Sequence, residues 1–271
     1  MSSSATKPLW WCKTCNVPLL SERCENCNSE GERICSDLKP VFKDECKFLE
    51  METDSNMPGT SWQDGMWMRY KTIWFRGQRF MRLSAKGRPR VMKKYSLSEI
   101  QRPSNGYVTA ETLYSANRST LEDLEKEAIS FVDDVVKSHP GRKPVVSFSG
   151  GKDSLVVSYI VRKALGSDSV EHMFSNTTME YPDTLQYIKD FRATNPRVTC
   201  HEYSSHQVFL DLCKVIGPPS RINAWCCSVF KSAPIANMVR RLPPSIMNLK
   251  MSLLKNSVSK MLAKMVMPPL C

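Results

Sequence analysis

Residues 149–154, with the sequence Ser-Gly-Gly-Lys-Asp-Ser, combine the residue types that bind phosphate. A β-branched segment, 144–149, runs into them, and a helix with apolar periodicity follows from Leu155. A strand, a tight glycine turn and a helix start in this order direct backbone N–H groups at an anion. The two glycines let the backbone approach closely, and Lys152 can neutralise the charge. The predicted binding residues are Ser147, Ser149, Gly150, Gly151, Lys152, Asp153 and Ser154.

Three small polar residues, Asn176, Thr177 and Thr178, follow the second predicted strand, 170–175. In open α/β sheets, ligands bind at the carboxyl ends of the strands. We therefore expect this triplet and the glycine loop to share one edge of the sheet, where the triplet suits the ribose or base of a nucleotide. Taken alone, the triplet is equally consistent with a loop before a helix that starts at a proline, Pro182.

Two adjacent cysteines, Cys226 and Cys227, stand at the predicted start of a later helix. The positive field of a helix N-terminus favours the thiolate form of a cysteine. Lys231 comes four residues after Cys227, on the same face of a regular helix, and can meet a phosphate or sulfate group. The alternative is a pair of buried thiols and a solvated lysine.

These three motifs together resemble a known family. The glycine loop is not a Walker A motif, because Val146 stands in place of its first glycine and Asp153 in place of its Ser/Thr. It resembles the SGGKDS PP-loop of the adenine-nucleotide α-hydrolase superfamily. Segment 225–234 is similar to the W-C-C-x-x-x-K-x-x-P motif of phosphoadenosine phosphosulfate (PAPS) reductases. The resemblance covers roughly residues 119–240 and implies a domain that binds ATP, adenylyl sulfate (APS) or PAPS.

The resemblance also implies a thiol-dependent reduction of a sulfonucleotide to sulfite, with catalytic roles for Cys226, Cys227 and Lys231. In that family, a cysteine in a Glu-Cys-Gly context attacks the sulfur, and a thioredoxin-like dithiol carrier completes the reaction. This sequence has no Glu-Cys-Gly, and Cys271 follows Pro-Pro-Leu. It also lacks the later C-x-x-C of iron–sulfur members, so the ligand set for a [4Fe–4S] cluster is incomplete. We expect little or no reductase turnover.

The segment after Arg241 is rich in Met, Lys and Ser and contains no acidic residue. One interpretation is a truncated or altered C-terminus, in which the family's further strand does not begin. The other is a basic amphipathic helix for an interaction. The apolar stripe of that helix would be Ile246, Leu249, Leu253, Met261, Leu262 and Met265.

Two C-x-x-C pairs near the start of the chain, Cys12/Cys15 and Cys24/Cys27, are separated by eight residues. Four thiolates from two tight turns suit tetrahedral zinc, and a segment this small would depend on the metal for its fold. The alternatives are free or redox-active cysteines and a rubredoxin-like iron site. Cys35 and Cys46 lack this spacing and are interpreted as ordinary buried thiols. The segment resembles the zinc ribbon that precedes the domain in some archaeal and bacterial members.

Aromatic and basic residues alternate between Trp62 and Arg82, with a predicted hairpin whose turn is at 76–78. Such a mixture can stack on and neutralise RNA. The other interpretation is a small β-rich subdomain in which the aromatic side chains form the core and the arginines are solvated.

From Ser119, where Ser119–Glu122 reads as a capping box, helices alternate with strands, which predicts a parallel α/β sheet. The predicted fold is therefore a Rossmann-like PP-loop sheet flanked by helices, preceded by a zinc ribbon and a small β-rich segment. The predicted domains are a zinc ribbon (8–34), a β-rich subdomain with a basic linker (35–115), the PP-loop domain (116–241) and a basic tail (242–271).

The net charge of +11 does not describe one binding surface, because nine of the excess positive charges follow Asp211. No run of 18 apolar residues and no apolar signal core occur, so we expect a cytoplasmic protein without a membrane span. Two other functions stay open. One is ATP-dependent sulfur transfer to tRNA or DNA, with a persulfide on Cys226 or Cys227. The other is a non-catalytic nucleotide-binding module.

Overall fold

The computed structural model describes residues 8–98, 107–204, 208–241 and 246–249. Within these ranges the chain divides into two compact units, and the boundary falls after Asp123. Each unit has its own sheets, antiparallel in the first and parallel in the second.

Among its described residues, the first unit contains two antiparallel sheets, two α-helices and a short 3₁₀ helix (Trp62–Asp64). A three-stranded sheet has the order β2-β1-β3, and a five-stranded sheet has the order β4-β5-β6-β7-β8. Its elements are β1 (Leu9–Cys12), β2 (Val17–Leu19), β3 (Glu32–Cys35), β4 (Lys39–Pro40), α1 (Lys43–Thr53), β5 (Met66–Arg69), β6 (Thr72–Phe75), β7 (Gln78–Leu83), β8 (Val91–Lys94) and α2 (Ala110–Ser115).

Both faces of the five-stranded sheet contribute to a core. One face, with Ile73 and Met81, packs against α1 through Cys46. The other face buries Trp67 against Trp11 of β1, with ring centroids 6.4 Å apart in an edge-on arrangement. Aromatic side chains of this segment therefore form a core, as the β-rich interpretation predicted.

The predicted hairpin is confirmed, with its turn at Arg76 and Gly77. Both residues have positive φ, 46° and 79°, which is the two-residue turn that matches strand twist. A methyl group on Gly77 would lie 2.5 Å from the Trp11 ring, so only glycine fits there.

The second unit is an α/β structure built on a parallel sheet. Helix α3 (Arg118–Lys137) contains the boundary between the units. The remaining elements are β9 (Lys143–Ser147), α4 (Lys152–Ala164), β10 (Glu171–Asn176), α5 (Pro182–Thr194), β11 (Thr199–Ser204), α6 (Phe209–Ile216), α7 (Trp225–Cys227), a π turn (Ser228–Ser232), α8 (Ala233–Arg241) and β12 (Ile246–Leu249).

Strand β9 lies inside this sheet because Val145 and Val146 are buried on both of its faces, as is usual in parallel sheets. The strand order is β11-β10-β9-β12, and all three pairings are parallel. From β9 the chain moves outward to β10 and β11, then returns to the other side of β9. The strand order therefore reverses at the carboxyl end of β9, which is where open α/β sheets bind ligands.

Three details of the sequence interpretation are wrong. Helix α3 begins at Arg118, so Ser119 lies within its first turn; the Ser119 hydroxyl donates to Glu25 (2.6 Å) and caps nothing. Residues 246–249 form a strand paired with β9, neither an absent strand nor an amphipathic helix. The predicted helix start at Cys226 and Cys227 is confirmed, but the regular helical spacing from Cys227 to Lys231 is wrong, because residues 228–232 form a π turn. The other residues of the predicted tail stripe lie outside the described residues.

Within the described ranges, no helix has both the length and the hydropathy needed to cross a membrane. The cytoplasmic location and the four domain boundaries stay predictions.

Candidate functional site

The glycine loop joins β9 to α4 at the point where the strand order reverses. The Phe148 N–H donates to the Met173 carbonyl (2.8 Å), which keeps the chain beside β10 just before the loop. The loop closes on the Ser154 hydroxyl, which donates to the Gly151 carbonyl (2.8 Å) and accepts from the Ser149 N–H (3.2 Å). Ser154 is buried, so its hydroxyl holds the loop in shape.

The two loop glycines have different roles. Gly150 has φ +74°, a conformation that favours glycine, and a methyl group there would press on Ile188 Cδ1 of α5 at 3.1 Å. Gly151 is the N-cap of α4, with φ −79°. A methyl group on Gly151 would meet only Ser149 Oγ, at 3.5 Å, which is ordinary van der Waals contact. Folding therefore does not require glycine at position 151.

The start of α4 has the electrostatics of an anion site. A helix of 13 residues begins at Lys152, and its N-terminus carries partial positive charge from N–H groups without helical partners. Gly151 has no side chain with which to cap these groups. The Lys152 side chain is exposed beside them, whereas Asp153 is half-buried. An anion at this end would receive both N–H groups and an ammonium group.

The polar triplet lies at the carboxyl end of β10, next to β9, as predicted. The side chains of the triplet already form hydrogen bonds with other groups of the protein. Asn176 Nδ2 donates to Glu202 Oε1 (3.1 Å), and Asn176 Oδ1 accepts from the Thr178 N–H (3.0 Å). The Thr177 hydroxyl donates to Glu180 Oε1 (2.8 Å), and Thr178 has φ +63°. The triplet therefore fixes the shape of the loop after β10, a role that its composition alone did not predict.

The cysteine–lysine motif is held at the same edge of the sheet. The Ser175 hydroxyl, on β10, donates to the Phe230 carbonyl in the π turn (2.9 Å). Trp225 stacks on Phe209 of α6 with centroids 5.6 Å apart, and its indole N–H donates to the Gly217 carbonyl (3.2 Å). The sequence analysis did not identify Ser175 as the residue that joins the motif to the sheet. The one signal for it was its position, a small polar residue directly before the triplet.

The side chains of this motif remain accessible. Cys226 is half-buried, Cys227 and Lys231 are exposed, and both cysteines are free thiols. The described part of the motif thus offers two thiols and one ammonium group close to the carboxyl end of β10.

The four predicted metal ligands come together in the first unit. The Sγ atoms of Cys12, Cys15, Cys24 and Cys27 all lie within 4.8 Å of one another. Cys12 and Cys27 Sγ are 3.4 Å apart, and Cys15 and Cys24 Sγ are 3.7 Å apart. A tetrahedral centre with metal–sulfur bonds of 2.3 Å would place the sulfurs about 3.8 Å apart. The cluster therefore fits a tetrahedral metal ion.

Local backbone geometry explains why both C-x-x-C turns converge. Each pair is followed by an asparagine, Asn16 or Asn28, with φ 58° or 59°. Asparagine tolerates this left-handed conformation better than other non-glycine residues. The repeated Cys-x-x-Cys-Asn pattern was visible in the sequence, but its meaning was missed.

Without a metal, the pKa values of three of these thiols are shifted in different directions. Burial raises the pKa of Cys12 far above its usual value and that of Cys15 to about 11. Burial also acts to raise the pKa of Cys27, but hydrogen bonds from Ser29 and from the neighbouring thiols lower it to about 6. A metal cation that binds these sulfurs would displace the thiol protons. Cys35 and Cys46 lie outside the cluster, as expected for ordinary thiols.

A family model described as "Phosphoadenosine phosphosulfate reductase domain" matches residues 143–248, from β9 to β12. Two uncharacterised proteins of Methanocaldococcus jannaschii are similar to the chain. One is 30% identical over 130 residues, which are 48% of this chain and 26% of that relative. The other is 27% identical over 133 residues, which are 46% of this chain and 30% of that relative. The chain thus spans less than a third of the length of these relatives.

Among solved structures, the chain is similar to a phosphoadenylyl-sulfate reductase from Candida auris in complex with phosphate. The likeness covers 53% of this chain and 86% of that chain, with 12% identity and a TM-score of 0.32. A score this low supports no conclusion about fold or activity. The family match, in contrast, includes the glycine loop, the polar triplet and the cysteine–lysine motif.

Proposed function

We propose that residues 143–248, which match the phosphoadenosine phosphosulfate reductase domain model, bind an adenine nucleotide with its phosphates at the glycine loop. One observation supports this most strongly. The left-handed Gly150 and the bare N-cap Gly151 lead directly into α4, at the carboxyl end of the strand where the order of the sheet reverses. A nucleotide is the common ligand of that position in open α/β sheets.

The loop residues divide into two groups in this proposal. The N–H groups of Gly151 and Lys152 and the Lys152 ammonium group contact the phosphates. Ser149 and Ser154 keep the loop closed through their mutual hydrogen bonds. Ser147 and Asp153 border the same loop, and their contact with the nucleotide stays a prediction.

The nucleoside would lie toward Asn176, Thr177 and Thr178. Because the Asn176 amide already bonds Glu202 and the Thr178 backbone, these residues act by shaping the pocket. A ribose hydroxyl can still share the second lone pair of the Asn176 carbonyl oxygen.

The match to the family model supports a sulfonucleotide as the substrate class. A sulfonucleotide, APS or PAPS, carries a sulfate next to its phosphate, and Lys231 is the exposed cation of the neighbouring motif. Cys226 and Cys227 are the thiols available for its reduction to sulfite, with a thioredoxin-like dithiol as the source of electrons. ATP-dependent sulfur transfer to a nucleic acid is the second candidate, because two accessible free thiols near a phosphate site also suit a persulfide carrier.

We further propose that Cys12, Cys15, Cys24 and Cys27 hold one zinc ion. The sulfur–sulfur distances of 3.4 and 3.7 Å match a tetrahedral Cys₄ site, and all four positions are filled by protein, as in structural zinc sites. Zinc would stabilise the first unit and takes no part in the nucleotide chemistry. An iron ion in the same four thiolates would give a coloured protein, which distinguishes the two metals.

Isothermal titration calorimetry with ATP, APS and PAPS tests the binding. We expect heat from at least one nucleotide with one site per chain, and a loss of about tenfold or more in affinity for Lys152→Ala, because a hydrogen bond to a charged group contributes roughly 1.5–3 kcal/mol. Lys189→Ala, which removes an exposed lysine from α5, is the matched control. No heat with any of the three nucleotides would refute the proposal.

Turnover assays separate the candidate activities. Sulfite release from APS or PAPS with thioredoxin and dithiothreitol would identify a reductase; we expect little or none, because the sequence contains no Glu-Cys-Gly. Pyrophosphate release from ATP that depends on added RNA or DNA would identify sulfur transfer. Nucleotide binding that persists in Cys226→Ser/Cys227→Ser, without turnover in either form, would identify a binding module.

A further inference from the structure

The five-stranded sheet has a basic groove on the face opposite α1. The groove has a volume of about 810 Å³. None of its lining residues is acidic, and five carry a positive charge: Arg69, Lys71, Arg79, Arg82 and Lys93.

Strand register places three of these cations in one row across the sheet. Arg69 pairs with Thr72, Thr72 with Arg82, and Arg82 with Lys93, from β5 to β8. Paired residues project to the same face, opposite to their neighbours Ile73 and Met81, which pack toward α1. Four strands spaced about 4.8 Å apart span about 14 Å. This length suits a polyanion with several phosphates, and a single phosphate would contact only part of it.

Within the part of the chain that the structure describes, the positive charge of the groove is not compensated by nearby carboxylates. Among the described residues, no carboxylate forms an ion pair with any of the five cations. Arg69 donates to the Ser36 hydroxyl (3.1 Å), and its Nε is buried with no hydrogen-bond partner among the described residues. Arg79 lies over the Trp74 ring (5.5 Å) and Lys93 over the Tyr95 ring (4.9 Å). Aromatic rings orient these cations without neutralising them.

Tyr70 adds an aromatic surface beside this row. It occupies the tight turn between β5 and β6 with φ 51° and is 78% exposed. A left-handed position in such a turn favours glycine or asparagine, and the tyrosine there lies outside the core with the Arg69 guanidinium over its ring (5.3 Å). An exposed ring beside cations is the arrangement on which nucleic-acid bases stack.

We propose that this groove binds single-stranded nucleic acid, with Arg82 and Lys93 on the phosphates and Tyr70 stacked on a base. Single strands expose the faces of their bases, whereas a duplex does not, so the aromatic contribution selects the single-stranded form. The groove belongs to the first unit and uses no residue of the glycine loop. The proposal therefore stands apart from nucleotide binding by the second unit.

Fluorescence anisotropy with the full chain tests the proposal, using fluorescein-labelled 12-nucleotide oligo(U), oligo(dT) and a mixed-sequence duplex. The test variant is Arg82→Gln/Lys93→Gln. The control is Lys43→Gln/Lys47→Gln, which removes two exposed charges from α1 in the same unit. We expect the test variant to bind at least tenfold more weakly, with the control within twofold of wild type. The slope of log K against log salt should fall by about 1.4 in the test variant, since each phosphate contact to a single strand contributes about 0.7.

Tyr70 variants separate stacking from charge. We expect Tyr70→Ala to weaken binding about tenfold and Tyr70→Phe to retain it, because the ring and not the hydroxyl stacks. Lys152→Ala should bind the oligonucleotides as wild type does, even where it has lost ATP, APS or PAPS. Tighter binding by oligo(U) or by oligo(dT) would identify RNA or DNA as the preferred strand. Binding of the duplex as tight as that of both single strands, equal effects of the two double variants, or an unaffected Tyr70→Ala would overturn the proposal.

Discussion

The Ser175 hydroxyl on β10 donates a 2.9 Å hydrogen bond to the Phe230 carbonyl oxygen in the π turn. This bond joins two segments that are 55 residues apart in the sequence, and it holds the cysteine–lysine motif at the edge of the sheet that contains the glycine loop. In a π turn the backbone hydrogen bonds reach one residue further than in an α-helix, and such turns often occur at functional sites. Loss of the hydrogen bond between Ser175 and Phe230 should therefore loosen the cysteine–lysine motif from the sheet.

We expect Ser175→Ala to lower the free energy of unfolding by about 1 kcal/mol, because one hydrogen bond is lost and the Phe230 carbonyl is left without this donor. Alkylation of Cys226, which is half-buried, should become faster as its segment loosens. Urea denaturation and iodoacetamide kinetics measure the two effects. Ser204→Ala, at the exposed end of β11, is the control and should change neither the free energy of unfolding nor the alkylation rate of Cys226. Equal changes in both variants would contradict the account.

The two loop glycines should respond differently to alanine. Gly150→Ala forces a side chain into φ +74° near Ile188 and should cost about 1–2 kcal/mol of stability. Gly151→Ala has room and a common φ, so its stability should stay within about 0.5 kcal/mol of wild type. Its nucleotide affinity should nevertheless fall about tenfold, because the methyl group keeps the phosphate from the backbone N–H groups. Calorimetry that finds full affinity in Gly151→Ala would show that the phosphates do not approach this backbone.

Elemental analysis should find about one zinc per chain, and Cys12→Ser should remove it. Loss of zinc should also lower the melting temperature of the first unit, because the three-stranded sheet is small and its core contains Cys12 and Cys24. Cys35→Ser, in the adjacent strand β3, is the control and should keep its zinc. Stoichiometric zinc in Cys12→Ser, or none in the wild type, would refute the assignment of the cluster.

Acid should destabilise the second unit through His172. This side chain is fully buried; its Nδ1 donates to the Val170 carbonyl (2.9 Å) and its Nε2 accepts from the Ser158 hydroxyl (2.7 Å). Burial lowers the pKa of His172 below its ordinary value of 6.5. The unfolded chain therefore takes up the proton first, so stability falls as the pH drops below about 6.5, by up to about 1.4 kcal/mol per pH unit for one proton.

Urea denaturation between pH 5 and 8 measures this dependence. His172→Gln should lower stability at pH 8 and flatten the profile between pH 5 and 6.5, whereas His139→Gln, at an exposed position, should leave it unchanged. An unaltered slope in His172→Gln would exclude His172 as its source.

Local patterns in the sequence predicted much of this fold. Strands β9 and β10 begin and end within about two residues of their predicted limits, and helix α4 follows the glycine loop as predicted but begins three residues before Leu155, because residue types and apolar periodicity indicate each element from its own local sequence. The four cysteines were assigned from spacing alone, and the structure brings their sulfurs together. The hairpin turn at Arg76 and Gly77 likewise followed from local residue types.

Relations between distant segments were not predictable in this way. The packing of Trp11 against Trp67 and the bond between Ser175 and Phe230 depend on how sheets and helices assemble. Strand β12 was missed because its pairing with β9, rather than its own apolar pattern, makes it a strand. Ser119 was misread for the same reason, since Glu25 engages the hydroxyl that seemed free to cap a helix.

Backbone amide NMR gives the most direct test of the central claim, that a nucleotide's phosphates bind the glycine loop. In ¹H–¹⁵N spectra of the full chain titrated with ATP, APS and PAPS, we predict that at least one nucleotide shifts the amide resonances of Gly150, Gly151 and Lys152 saturably. The matching spectra of Lys152→Ala should show much weaker saturation at the same nucleotide concentrations. Resonances of the loop that stay unmoved by all three nucleotides, or shifts confined to other segments, would contradict the account.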